Sequence, residues 1–307
     1  MKRIAILLTM LAVALAGCGP KLQAVRDFST ISIAATEQSQ ASIGFLNEAC
    51  LKTQQILVPL EETNKSKEYI AYRVNMKCAV HKTSVEGTRT AITVLTEYFK
   101  ALAVLSSDSL YKHGGTVQEL KAKLKTATGS SGQLIFEKSS AKVDAVFSLA
   151  DSIIQLGTMA YQKHMLKNYI RESYSIANQT FVQLEGLIGK NCVTELKNQR
   201  SAFEFAYYTT RLDELDEKIR SKKLAVSAGE LETIKVLYRQ DYEKKVSGVE
   251  EAITRCQRTA EALTKSRETF KEIYDHLEDL DSDYIRAIVD TYYAEVLPSL
   301  RTLQVVN

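Results

Sequence analysis

The chain has 307 residues, 45% hydrophobic and 25% charged, with 13 Gly, only 3 Pro and no Trp. That balance supports a packed core and excludes both intrinsic disorder and a polytopic membrane protein. The net charge of +3 falls to +1 if Lys2 and Arg3 are removed with a leader, and no Lys/Arg run is dense enough to neutralise a phosphate backbone. The nearest, Arg220 to Lys223, sits beside an expected turn. Nucleic acid is therefore not an expected partner.

Met1-Lys2-Arg3 is a short positive stretch, and Ile4 to Ala14 is an apolar run of 11 residues. A bilayer span needs about 20 residues, so the run reads as an export signal. Leu15-Ala16-Gly17-Cys18 follows. These residues resemble the lipobox of bacterial lipoproteins, which implies cleavage before Cys18 and a covalent lipid on its sulfur. The resemblance covers this leader alone. Gly19, where an Asp would imply retention at the inner membrane, favours an outer membrane if the organism has one. The expected organisation is a signal peptide over 1–17 and a helical bundle over 18–307.

Prolines occur only at 20, 59 and 298, and the interval between the last two holds ten Gly. A strand-rich fold of this size would need many more turn residues. The chain is expected to be all-α, an elongated antiparallel bundle with coiled-coil-like hairpins.

The first hairpin is expected over 22–110. Its first helix carries Leu22, Val25 and Phe28, then Ile43, Leu46, Cys50, Thr53 and Leu57, and Pro59 is expected to end it. The polar stretch Glu61 to Glu68 makes the turn. The second helix alternates spacings of four and three through Val74, Cys78, His81, Val85, Thr88, Ile92, Leu95, Phe99 and Leu102, a heptad seam facing a partner helix. Middle helices follow over 116–166. Thr116-x-x-Glu119 reads as a capping box, Gly129-Ser130-Ser131-Gly132 as a turn, and Ala145 to Tyr161 as the most apolar stretch of the mature chain.

A second hairpin is expected over 167–296, turning at Ser221 to Gly229, with Ser227-x-x-Glu230 as another capping box. Its return seam runs through Leu231, Ile234, Tyr238, Tyr242, Val249, Ile253, Cys256, Leu263, Phe270 and Leu277 to Tyr284 and Ile288; a helix of about 60 residues would be about 90 Å long, so either the molecule is a rod or these helices bend. Whether 139–166 and 167–222 form one helix is left open by the spacing.

With Cys18 lipidated, four cysteines remain in an exported chain, and four allow three connectivities. Residues equidistant from a hairpin turn lie side by side. Asn64, midway between Cys50 and Cys78, and Leu224, midway between Cys192 and Cys256, both fall in expected turns. The expected disulfides are Cys50–Cys78 and Cys192–Cys256, about 21 Å and about 48 Å from their turns at about 1.5 Å per residue. Crossed pairing, such as Cys50 with Cys192, is the alternative.

Motifs for chemistry are absent or incomplete. Cys78-x-x-His81 is half a zinc site without a second half, and His113, His164 and His276 are scattered. Asp279 to Asp283 imitates the start of a calcium loop, but Tyr284 and Asp290 stand where Gly and Glu are required, so it reads as a solvated helix face. His113-Gly114-Gly115 has no Gly-x-Ser-x-Gly to accompany it. No metal, no cofactor beyond the lipid on Cys18, and no enzymatic activity are expected. The expected role is a lipid-anchored, noncatalytic module of the cell envelope, meeting another envelope protein or the cell wall, with self-association as a further option. The alternative is a membrane-active or secretion-associated protein that inserts segment 145–161.

Overall fold

A computed structural model describes residues 22–62, 64–106, 162–221 and 226–304. Among them every regular element is helical and none is a strand. The Thr116 capping box, the Gly129–Gly132 turn and segment 145–161 lie outside the described residues.

Helix α1 (Gln23–Glu61) and helix α2 (Lys67–Leu105) are each 39 residues long. Pro59 does not end α1. It sits inside the last turn and gives up the backbone bond to Gln55, yet the helix continues two residues further, to Glu61. The Glu62 N–H then donates to the Val58 carbonyl at 2.9 Å. Ser66 starts α2, its hydroxyl accepting from the Tyr69 N–H at 3.2 Å. Ion pairs from Lys77 to Glu61 (2.6 Å) and Arg73 to Glu62 (3.6 Å) tie the two helices beside this turn.

The two helices pack antiparallel along their length, as Gln40–Thr93 (3.0 Å), Thr36–Thr96 (2.9 Å) and Arg26–Ser106 (3.1 Å) record. Every member of the expected α2 seam is buried except His81, which is half-buried.

From Gln162 to Arg220 the chain is one helical run interrupted by two π-helical segments. Helix α3 (Gln162–Gly186) leads into the π segment Leu187–Cys192, helix α4 (Val193–Phe205) into the π segment Ala206–Leu212, and helix α5 (Asp213–Arg220) ends the run. Gly189 has a packing reason. A Cβ there would stand 2.9 Å from the Ala260 Cβ, so only glycine lets the first π segment approach the returning helix this closely.

That return is helix α6 (Ala228–Asp275). Its capping box forms as the sequence indicates: the Ser227 N–H donates to Glu230 (2.8 Å) and the Glu230 N–H to the Ser227 hydroxyl (3.3 Å).

Of rod and bend, the return run takes the bend. Helix α6 stops at Asp275, a 3-10 turn occupies Leu277–Asp279, and helix α7 (Asp283–Gln304) runs back along α6 and α1. The seam spacing continues through the break because Leu277 and Leu280 turn inward and plug the bend. Ser282 then caps α7, accepting from the Ile285 N–H at 3.3 Å. Asp279 to Asp283 is thus a connection between helices, not a helix face. The buried stripe of α7 is Ile285, Val289, Tyr292, Val296 and Leu300, displaced from the expected one, and Tyr284 is 52% exposed.

Helix α1 is the axis, packed against α2, α4, α6 and α7. It affords that by lining its contacts with small side chains: Ser29, Ser32, Ser39 and Ser42 are fully buried. Their hydroxyls bond the preceding turn, as Ser39 to Ala35 (2.8 Å), or reach across, as Ser42 to Thr259 (2.8 Å). At the end where α1 begins, Phe28 stacks on Phe270 at 5.8 Å and meets Phe99 edge-on at 5.6 Å. Phe181 and Tyr292 close this aromatic core.

Candidate functional site: a distal groove and two cysteine pairs

The four expected cysteines meet as two pairs. Cys50 and Cys78 bring their sulfurs to 2.02 Å, a disulfide distance, with Cα atoms 5.9 Å apart. Cys192 and Cys256 face one another at 2.7 Å as buried thiols, too far apart for a formed bond, and both approach the Ser42 carbonyl. The hydrogen bond to Cys256, and then burial, push the Cys192 thiol far above its ordinary range. Cys192 closes the first π segment, so the close approach at Gly189 also sets the height at which this pair meets. Cys18 lies outside the described residues.

The two described histidine side chains, His81 and His276, lie apart. His81 pairs with Glu195 at 3.7 Å, and His276 lies beside Glu272 and the Tyr284 ring. Among the described residues no group of three or more His, Cys, Asp or Glu is placed to hold a metal, and no helix is long and apolar enough to cross a membrane.

Among the described residues a well-formed concavity lies where α1, the second π segment and α6 face a common gap. It is a half-open groove of about 740 Å³. Its floor exists because small residues from three elements coincide there: Ala49, Ala206, Gly248 and Ala252. Gly248 leaves real space, since a Cβ on it would meet nothing within 4 Å. Aromatic walls rise around the floor. Tyr207 stacks on Tyr242 with centroids 4.8 Å apart, and Arg211 lies 5.2 Å over the Tyr238 ring.

Charge on the rim is mixed but positive in balance: Lys52, Arg211, Lys244 and Lys245 against Glu48 and Asp241. Asp241 takes two cations, Arg211 at 2.6 Å and Lys245 at 3.0 Å, and the Lys245 hydrogen bond holds its carboxyl below the ordinary range. Gln199 lines the same groove; the residue is only 4% exposed, and its side-chain amide, which bonds to no described protein group, keeps its access to solvent there. The sequence places Tyr238, Tyr242 and Val249 on the return seam but carries no sign of the groove, which depends on three segments distant in the chain. The π segment that aims Tyr207 and Arg211 carries no motif.

The groove belongs to one end of the molecule. Residues 28 and 181 share the aromatic core, and residues 42 and 192 meet further along, so α1 and the 162–220 run point the same way. Both hairpin turns therefore lie at the end opposite the start of α1. From Phe203 to Gly248 only Leu215 is buried among the described residues. Nine of the twelve exposed large apolar side chains among the described residues lie in this distal half, including Tyr72 (62% exposed), Leu237 (57%) and Tyr208. No protein family, curated protein or solved structure matches this chain.

Proposed function

We propose that the chain is a lipid-anchored, noncatalytic protein of the cell envelope whose distal end docks a protein partner. The lipobox-like Leu15-Ala16-Gly17-Cys18 supports the anchor, and Cys18 precedes Leu22 by only Gly19, Pro20 and Lys21. Helix α1 has 39 residues and so spans about 58 Å. An anchor at its start would hold the hairpin turns some tens of ångströms from the bilayer, on the outer membrane if the organism has one. In this reading the helices form an elongated bundle with coiled-coil-like hairpins. Cys192 and Cys256 become the second disulfide by exchange with an envelope oxidant in its disulfide form, which takes up the two electrons and two protons and leaves as a dithiol. The observation that carries the reading is the collection of exposed apolar side chains at the distal end. Tyr69, Tyr72, Met76 and Val80 recur at helical spacing and share one open face of α2, and monomeric proteins seldom leave a contiguous apolar face without a binding role.

The test has two arms in cells. Radiolabelled palmitate should enter the chain, and Cys18→Ser should abolish labelling and release the protein from membranes. Photo-crosslinkers placed at Tyr72 and Leu237 should each capture one and the same envelope protein, while a crosslinker at Tyr293 captures none. Equal capture at all three sites would refute distal docking. Dye leakage from liposomes mixed with the purified chain would favour insertion of segment 145–161 instead.

A further inference from the structure

We infer that the groove between α1, the second π segment and α6 binds an acidic peptide segment of the partner, anchored by one aromatic or bulky apolar side chain. The inference rests on the distal end being a docking face and specifies what that face recognises.

Three features of the groove act together. The first is the floor of Ala49, Ala206, Gly248 and Ala252, walled by Tyr207, Tyr238 and Tyr242. Four small residues converging under aromatic walls leave room for one large side chain, and such a pocket is the usual seat of a binding anchor. The second is Gln199. Its side-chain amide bonds to no described group and still meets solvent within the groove, so a ligand can take over its bonds without a buried group first being freed. An amide offers one acceptor and two donors, which is the complement of a peptide group with its own C=O and N–H. A fatty acid or lipid tail could fill the floor but would leave the Gln199 donors or acceptor unmatched. The third is charge. Lys52, Arg211, Lys244 and Lys245 outnumber Glu48 and Asp241 on the rim, and Lys244 makes no ion pair with a described residue. Complementarity therefore asks for carboxylates on the partner, flanking the anchor.

The π segment explains why the site is here. Residues Ala206–Leu212 insert a wider turn into an otherwise α-helical run, which places Tyr207 and Arg211 on the groove side. Such insertions are frequent at functional sites.

The experiment selects a displayed library of random peptides, about a dozen residues long, on the full-length chain in detergent micelles. Enriched peptides should carry Asp or Glu around a Trp, Phe, Tyr or Leu. Binding of the best clone should fall about tenfold or more with Gly248→Leu, which fills the floor, and with Gln199→Leu, and should also weaken with Lys244→Glu. The Gly248 variant controls for folding, because space is open above that backbone and its melting temperature should not drop. Failure to enrich, basic consensus peptides, or unchanged binding to Gly248→Leu would overturn the inference. Displacement of the best clone by dodecanoate that proves the tighter ligand would also overturn it, in favour of an anionic amphiphile. If the library fails while crosslinks at Tyr72 and Leu237 still form, this inference falls and the distal docking reading survives; if both fail, both fall.

Discussion

The two ends of this protein use the same residue types for opposite purposes. Near the start of α1, Phe28, Tyr98, Phe99, Phe181 and Phe270 are fully buried and pack ring against ring. Near the hairpin turns, Tyr207, Tyr238 and Tyr242 also cluster, yet each remains partly open to solvent. The difference follows from how many helices are present. At the proximal level α1, α2, α3, α6 and α7 surround the rings, whereas at the distal level α3 has given way to the π segment and α7 does not reach. Aromatic content alone does not say whether a region is core or surface; the number of layers around it does.

The strongest break of the comparison is Phe270→Ala. It should cost about 3–5 kcal/mol by emptying the centre of the proximal cluster, while Tyr242→Ala at the distal end should cost about 1 kcal/mol or less. Chemical denaturation of the two variants side by side checks this, and equal losses would erase the distinction. Next in size is the distal staple. Replacing Cys50 and Cys78 by Ser should destabilise the chain by about 3–4 kcal/mol, through the entropy of the unfolded loop, without altering the aromatic signal of the proximal core in near-ultraviolet circular dichroism.

A third outcome depends on pH. Burial pushes the Tyr292 phenol up to about 12 from an ordinary 10.0, its bonds to Ser266 and Ser32 opposing that rise. A raised folded pKa means that the neutral phenol's stabilisation is complete below about pH 10 and is lost as pH climbs through about 12. The loss should be about 2–3 kcal/mol, and Tyr98, shifted in the same direction by burial, adds to it. Tyr292→Phe should flatten the alkaline limb of the stability curve, measured as melting temperature between pH 9 and 12; an unchanged limb would place the sensitivity elsewhere.

The smallest contrast is between two glycines. Gly248→Ala should raise stability by about 0.5–1 kcal/mol, as expected for an open helical position. Gly189→Ala should lower it by about 1–3 kcal/mol, because its new methyl would press on Ala260. Thermal melts of the pair are the check.

Much of the fold could be read from residue spacing. The α2 seam from Val74 to Leu102, the Ser227–Glu230 capping box and the turn after Glu61 all depend on neighbours within one or two helical turns, and local periodicity reports such neighbours directly. Matching residues equidistant from a turn needed only one further assumption, that adjacent helices run antiparallel. Cys50 and Cys78 do lie together, as do Cys192 and Cys256.

Other features were decided only by tertiary packing. The place of the α6–α7 bend is not legible in the sequence, because Leu277 and Leu280 keep an apolar rhythm that helix and buried turn share. The serine-lined axis of α1 is polar by composition and central by position, since several helices approach it at once and only small side chains fit between them. The groove is further still from the sequence. Ala49, Gln199 and Gly248 acquire their meaning from standing across a gap from one another, and no local pattern encodes a gap. Short-range physics determined where the helices are, and long-range packing determined which of their faces remain for a partner.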